Sequence, residues 1–86
     1  MQSNKKYPQV LLNVKVDNNK KQNVSTDKEI QEEVNKLQKE FKENGRVLVR
    51  ASGTEPIIRV MIEGENQNDI EEKAQKLADL IKVKLN

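Results

Sequence analysis

Apolar residues recur along this chain with two different periods. In "VLLNVKV", Val10, Leu12, Val14 and Val16 alternate with Leu11, Asn13 and Lys15, and a period of two predicts a strand with one buried face. Ile30, Val34, Leu37 and Phe41 then recur at steps of four, three and four, the spacing of a single helical face. "RVLVR" (46–50) and "IIRVMIE" (57–63) are short, β-branched and bounded by Gly or Pro, so they read as two further strands. Ile70, Ala74, Leu77 and Ile81 return to steps of four, three and four and predict a closing helix.

The ends of these elements carry their own signals. "TDKE" is a Thr-x-x-Glu capping box of Thr26 with Glu29, which starts the first helix at about 27 and runs it to about 43. Asn44-Gly45 is a stop signal, with Gly45 suited to a left-handed position after the last turn. Asn68 with Glu71 offers an N-cap pair for the last helix, about 69–83. Residues 1–8 are polar, end in Pro8 and read as a linker or tail, which leaves 9–86 as one domain. "DNNKKQN" reads as a loop, and a fourth short strand has room within 17–25.

The order is therefore β-α-β-β-α. The expected fold is an α+β open-faced sandwich: a three- to four-stranded, mainly antiparallel sheet with two helices on one face, a TATA-binding-protein-like arrangement. The uncovered sheet face would carry Asn13, Lys15, Leu48, Arg50, Ile57, Arg59 and Met61. That face is mixed rather than polar, which suggests that something docks there.

Composition narrows the chemistry. The 86 residues include no cysteine and no histidine, so a disulfide framework, a thiolate metal site and a Ser-His or Cys-His nucleophile are all absent from this chain. Sixteen basic residues stand against 14 acidic ones, a net of +2, too little to imply nucleic-acid binding. Tyr7 and Phe41 are the only aromatic residues, too few for a base-stacking platform. No apolar run approaches the ~20 residues that span a bilayer, and "MQSNKKYP" lacks the apolar centre of a signal peptide. A cytoplasmic protein without membrane or nucleic-acid partners is the expectation.

One stretch holds candidate chemistry. Between the second and third strands lies "ASGTEP", with Arg50 just before it and Arg59 just after. Ser, Gly, Thr and Pro would serve a plain hairpin turn. They also suit an anion. Gly53 lets the backbone approach a ligand closely, while Ser52 and Thr54 add hydroxyl donors in a short arc. With Val47 and Val49 turned to the helices, Arg50 and Arg59 fall on the opposite face, and their guanidinium forks suit phosphate oxygens. Glu55 is the odd member, since a carboxylate repels phosphate unless it faces elsewhere. It could accept from a sugar hydroxyl, hold an arginine in place or stand free in solvent. Ser52 has no base to activate it as a nucleophile, so no catalytic residue and no metal ligand is assigned to this chain.

"GRVLVRASGTEPIIRVMIEG" resembles the C-terminal, fourth domain of the bacterial phosphoglucosamine mutases, within the α-D-phosphohexomutase superfamily. "YPQVLLNVKV" looks like that domain's first strand, and the likeness covers about residues 7–84. The Arg-x-Ser-Gly-Thr-Glu-Pro core is shared across related hexomutases, and the continuation "IIRVMIEG" favours the phosphoglucosamine branch. Phosphomannomutase/phosphoglucomutase relatives tend to have Asn where Gly53 stands, and the eukaryotic acetylglucosamine-phosphate mutases tend to have Asp where Pro56 stands.

The resemblance implies a role for the domain. Family members have four domains around a cleft. The catalytic phosphoserine sits in the first, a Mg2+ loop in the third, and the sugar-specificity loop also lies outside the fourth. None of those motifs occurs in these residues, so the chain is expected to be inactive alone and to use no cofactor of its own. The full-length family uses Mg2+ and a bisphosphorylated sugar intermediate. Its expected partners are a sugar phosphate and the other domains of the same enzyme. Arg50, Ser52, Gly53, Thr54 and Arg59 would grip the non-reacting phosphate as glucosamine 6-phosphate and glucosamine 1-phosphate interconvert on the way to cell-wall precursors. The competing expectations are the same domain of a phosphoglucomutase/phosphomannomutase, or a non-enzymatic α+β interaction module.

Overall fold

The computed structural model describes residues 7–86. Three strands, β1 (Gln9–Lys15), β2 (Arg46–Ala51) and β3 (Ile57–Glu63), and two helices, α1 (Lys28–Phe41) and α2 (Gln67–Lys84), follow in the order β1-α1-β2-β3-α2. The sheet order is β1-β3-β2, and β3 pairs antiparallel with both neighbours. Helix α1 lies over β2, and α2 lies over β1 and β3. This is the expected open-faced α+β sandwich. Of the linker expected over residues 1–8, residues 1–6 lie outside the described residues. The Pro8 carbonyl accepts from the Gly64 N–H at 3.2 Å.

Alternation decides which face is covered. Val14, Val47, Ile58, Val60 and Ile62 point to the helices and are buried, with Val10, Leu12 and Val49 packed at the margin. They meet Ile30, Val34, Leu37 and Phe41 of α1 and Ile70, Ala74, Leu77, Ala78 and Ile81 of α2. Central-strand residues Ile58, Val60 and Ile62 are fully buried, each contributing roughly 1.5–3 kcal/mol relative to exposure. These are the residues that the two periodicities picked out.

Several boundaries differ from expectation, each for a local reason. Among the described residues there is no fourth strand, and Lys21–Ser25 form a 3₁₀ turn instead. The Asp17 N–H is taken by the Leu85 carbonyl (2.9 Å), and the Asp17 carboxylate accepts from the Asn19 N–H (2.9 Å). Both bonds turn the chain away from the sheet edge. Helix α1 is capped by Asp27, whose carboxylate accepts from the Ile30 N–H at 3.2 Å. Thr26 is not the cap, because its N–H and hydroxyl both go back to the Asn23 carbonyl and close the 3₁₀ turn. Helix α2 starts at Gln67, capped by Asn66 rather than Asn68: Asn66 is the last extended residue, and its side chain accepts from the Asp69 N–H at 3.0 Å.

The exit from α1 also differs. Lys42, not Gly45, takes the positive φ (52°). The Gln38 amide then donates to the Gly45 carbonyl (3.1 Å) and accepts from the Val47 N–H (3.1 Å), tying the helix end to β2. Gly45 is required for space. A Cβ there would run into the Glu63 carbonyl oxygen and lie 2.8 Å from Phe41 Cγ, and one at Gly64 would lie 2.6 Å from Ile70 Cγ2 and 3.2 Å from Phe41 Cε1. The single phenylalanine is held between two glycines.

The helices pair antiparallel through their lysines. Lys73 Nζ lies 3.1 Å from Glu40, and Lys84 Nζ lies 2.9 Å from Glu29 and 3.6 Å from Asp27. The hydrogen bond to Glu40 raises the Lys73 pKa above its ordinary 10.5, and the hydrogen bond to Glu29, with the Asp27 charge behind it, raises that of Lys84. A raised lysine pKa stabilises the fold below the unfolded value, and that stability is lost as pH rises through the folded value.

The thermal midpoint should therefore fall as pH climbs above 10.5, and a Lys73→Gln/Lys84→Gln variant should fall less steeply over the same range when followed by circular dichroism. The cap reading has its own test in urea unfolding. Asp27→Ala should lower stability by about 1 kcal/mol and Asp27→Asn by much less, while Thr26→Ala should stay within about 0.5 kcal/mol.

Candidate phosphate-binding site

The register of the two antiparallel pairings lays the uncovered sheet face out in rows. Gln9, Glu63 and Arg46 form one row, Leu11, Met61 and Leu48 the next, and Asn13, Arg59 and Arg50 the third. Arg50 and Arg59 are thus direct cross-strand partners, and both are exposed. Directly opposed residues have Cβ atoms about 4.5–5.5 Å apart, and like charges so placed are destabilising. Among the described residues neither guanidinium has a carboxylate within 4.0 Å. The fold brings two cations together and supplies no anion between them.

The six residues after Arg50 close the hairpin, and their backbone is held from several sides. Ser52 N–H donates to the Ile57 carbonyl (3.0 Å), Ile57 N–H to the Glu55 carbonyl (2.8 Å), and Val16 N–H to the Pro56 carbonyl (3.0 Å). The Ser52 hydroxyl oxygen accepts from the N–H groups of Thr54 (3.4 Å) and Glu55 (3.2 Å). Such a side-chain turn fixes the arc of the loop. The hydroxyl still has its own proton to donate.

Each residue singled out in the sequence can now be located. Arg50 is the second-last residue of β2, and Arg59 lies opposite it on β3. Ser52 is half-buried at the base of the loop, and Gly53, Thr54 and Glu55 are exposed at its tip. Among the described residues the Gly53 N–H and the Thr54 hydroxyl have no hydrogen-bond partner. A Cβ added at Gly53 would meet nothing within 4 Å, and its φ lies outside the left-handed range. Neither the fold's packing nor its backbone geometry demands glycine there. The Glu55 carboxylate likewise has no hydrogen-bond or ion-pair partner among the described residues, so it does not hold either arginine.

Two features were not foreseen. Lys21 is buried and donates to the Glu55 carbonyl at 3.2 Å. In the sequence it is one lysine of a polar loop, and nothing local marks it as buried. Leu11, 72% exposed, joins Leu48 and Met61 on the open face, where with the two arginines they line a shallow depression of 260 Å³. A larger hollow of 550 Å³ lies along α1, but among the described residues its lining (Glu32, Asn35, Lys36, Lys39, Glu40) comes from that one helix.

The model of the phosphoglucomutase/phosphomannomutase C-terminal domain matches residues 11–80. The chain belongs to this family. The phosphoglucosamine mutase of Caldanaerobacter subterraneus subsp. tengcongensis is 55% identical over 80 residues, covering 93% of this chain and 18% of the relative. That of Clostridium beijerinckii is 52% identical over 82 residues, covering 95% and 18%. That of Finegoldia magna is 56% identical over 75 residues, covering 87% and 17%. The chain therefore spans less than a fifth of the length of these relatives. Among solved structures, an N-acetylglucosamine-phosphate mutase in its product complex, a member of the α-D-phosphohexomutase superfamily, superposes with a TM-score of 0.70 at 34% identity, over 88% of this chain and 15% of that one. Aspergillus fumigatus N-acetylphosphoglucosamine mutase, solved with GlcNAc-6P and magnesium, superposes with a TM-score of 0.74 at 23% identity, over 93% and 16%, and shares the fold. The phosphohexomutase domain thus stands on sequence and fold together.

An arginine pair kept apart from any carboxylate should not support the domain's stability. Arg50→Ala is expected to leave the urea midpoint unchanged or to raise stability by up to about 0.5 kcal/mol. A loss well beyond that would mean the side chain holds the fold rather than standing ready for a ligand.

Proposed function

We propose that this domain grips the phosphate of a sugar phosphate for a phosphoglucosamine mutase, the enzyme that interconverts glucosamine 6-phosphate and glucosamine 1-phosphate. The observation that carries the reading is the pairing of Arg50 with Arg59, two opposed cations with no carboxylate of the described residues within 4.0 Å, at the root of a loop whose Gly53 N–H and Thr54 hydroxyl have no partner among the described residues. Two unit charges 4 Å apart interact by only about 1 kcal/mol in water, so the solvated pair is tolerated. A phosphate dianion entering between the guanidinium forks replaces that repulsion with two charge-assisted contacts. Thr54, the Ser52 hydroxyl proton and the Gly53 N–H then close around the remaining oxygens. The open space at Gly53 leaves the loop backbone free to meet them.

The clamp contacts phosphate, not sugar, so it accepts a sugar phosphate in either orientation. That suits a reaction in which both ends of one hexose must in turn face a single phosphoryl donor, by way of a bisphosphorylated intermediate. Remote phosphate binding then supplies orientation for chemistry carried out elsewhere, and closure of the cleft around the sugar excludes water. Among the described residues no three carboxylates converge on a point where a metal ion would sit. Phosphorylated sugars as substrates fit a cytoplasmic setting. No helix among the described residues is long and apolar enough to cross a membrane. The branch of the superfamily is supported by the relatives, which at 50–56% identity are phosphoglucosamine mutases.

Titrating the 15N-labelled chain with inorganic phosphate tests the clamp. The largest amide shifts are expected from Arg50 to Thr54 and at Arg59, with weak, saturable binding that Arg50→Ala abolishes without unfolding the domain. Shifts concentrated on α1 or α2 would show that the anion binds elsewhere.

A further inference from the structure

Lys21 is a buried cation with an unusual partner. Its ammonium donates to the Glu55 main-chain carbonyl at 3.2 Å and has no carboxylate within 4.0 Å among the described residues. Burying a charge is costly unless its hydrogen bonds are used, so this contact is a determinate one. The approach side matters as well. Lys21 opens the 3₁₀ turn Lys21–Ser25, whose Val24 belongs to the core beneath the helices. The Gln31 amide holds the same turn by donating to the Val24 carbonyl at 2.8 Å. Lys21 therefore reaches the loop from the covered side of the sheet, while Arg50 and Arg59 stand on the open side.

The Glu55 carbonyl accepts twice, from Lys21 and from the Ile57 N–H, while the Glu55 N–H is held by the Ser52 hydroxyl. Both peptide groups of Glu55 are thus fixed, and Gly53 and Thr54 lie within the arc they define. A carbonyl dipole turned toward an anion repels it, and one bonded to an ammonium is drawn back and neutralised. We infer that Lys21 is a positioning residue for the anion loop: it pulls the Glu55 carbonyl toward the body of the domain, so that the loop offers phosphate its donors and not an acceptor. The role rests on the phosphate reading and adds to it a residue 29 positions before Arg50.

The test compares Lys21→Met, which keeps the apolar stem and removes the donor, with Lys21→Arg, which keeps a donor, in the 86-residue chain. The readouts are urea midpoint, amide exchange at Glu55 and Ile57, and inorganic-phosphate affinity from amide shifts over a range of salt. Lys21→Met is expected to weaken phosphate binding by about tenfold, to speed exchange at Ile57, and to leave the slope of affinity against salt unchanged, with Lys21→Arg recovering most of the affinity. Unchanged affinity in a folded Lys21→Met, while Arg50→Ala loses binding, would overturn the Lys21 role and leave the phosphate reading standing. A shallower salt slope would also overturn it, by making Lys21 a direct phosphate contact. Should Arg50→Ala bind as the parent does, the phosphate reading fails and the Lys21 role goes with it. If Lys21→Met does not fold, Lys21→Ala carries the same comparison: weakened affinity with an unchanged salt slope supports positioning, and full affinity in the folded Ala variant overturns it.

Discussion

The register between β2 and β3 is the constraint on which the rest of the molecule depends. It pairs Val47 with Ile62, Val49 with Val60 and Ala51 with Ile58 on the covered face, and Arg50 with Arg59 on the other. A slip of one residue would carry one strand's valines to solvent and its arginines under the helices, because side chains alternate with a period of two. Burial of the fully enclosed Ile58, Val60 and Ile62 makes that slip prohibitive. The hydrophobic core therefore fixes the position of two charges that contribute nothing to it. The pairing with β1 extends the same lattice and sets the apolar row of Leu11, Met61 and Leu48 beside the arginines.

Much of this was legible in the sequence because it follows from periodicity. Alternation in the strands and the four-three-four steps in the helices name the buried residues directly, and the same alternation puts both arginines on the uncovered face. What the sequence concealed was competition for single hydrogen bonds. Thr26 and Asp27 are both acceptable caps, and the choice fell to Asp27 because a 3₁₀ turn, itself invisible in the pattern, uses Thr26 first. Gly45 reads as a left-handed stop, yet it is glycine because the Glu63 carbonyl and Phe41 leave no room for a side chain. Steric need and conformational need select the same residue type, and only packing separates them.

The candidate site divides in the same way. Its exposed members, Arg50, Ser52, Gly53, Thr54, Glu55 and Arg59, are adjacent in sequence or across one hairpin, so a local reading reaches them. Lys21 is joined to Glu55 across 34 positions by one contact to a main-chain atom. A carbonyl has no residue identity, so no motif can encode its partner. The Val16 N–H, bonded to the Pro56 carbonyl, is hidden for the same reason. Supports of this kind are found only once the chain is folded.

The loop itself shows why such supports matter. Its tip carries the small residues Gly53 and Thr54, neither packed on the core, and small exposed loops are the least stable parts of a fold. A clamp made from such a segment would lose affinity to the cost of ordering it at each binding event. Here that ordering is built in beforehand. Ser52 binds two successive N–H groups, Val16 and Ile57 fix the far end, and Lys21 holds the Glu55 carbonyl from beneath. Among the described residues the N–H groups of Ser52, Thr54, Glu55 and Ile57 and the carbonyls of Glu55, Pro56 and Ile57 are all bonded, while the Gly53 N–H and the Thr54 hydroxyl are not. Under the phosphate reading, an arc held in this way would meet the anion preorganised, and glycine at a position where the fold itself asks for none would leave room for it.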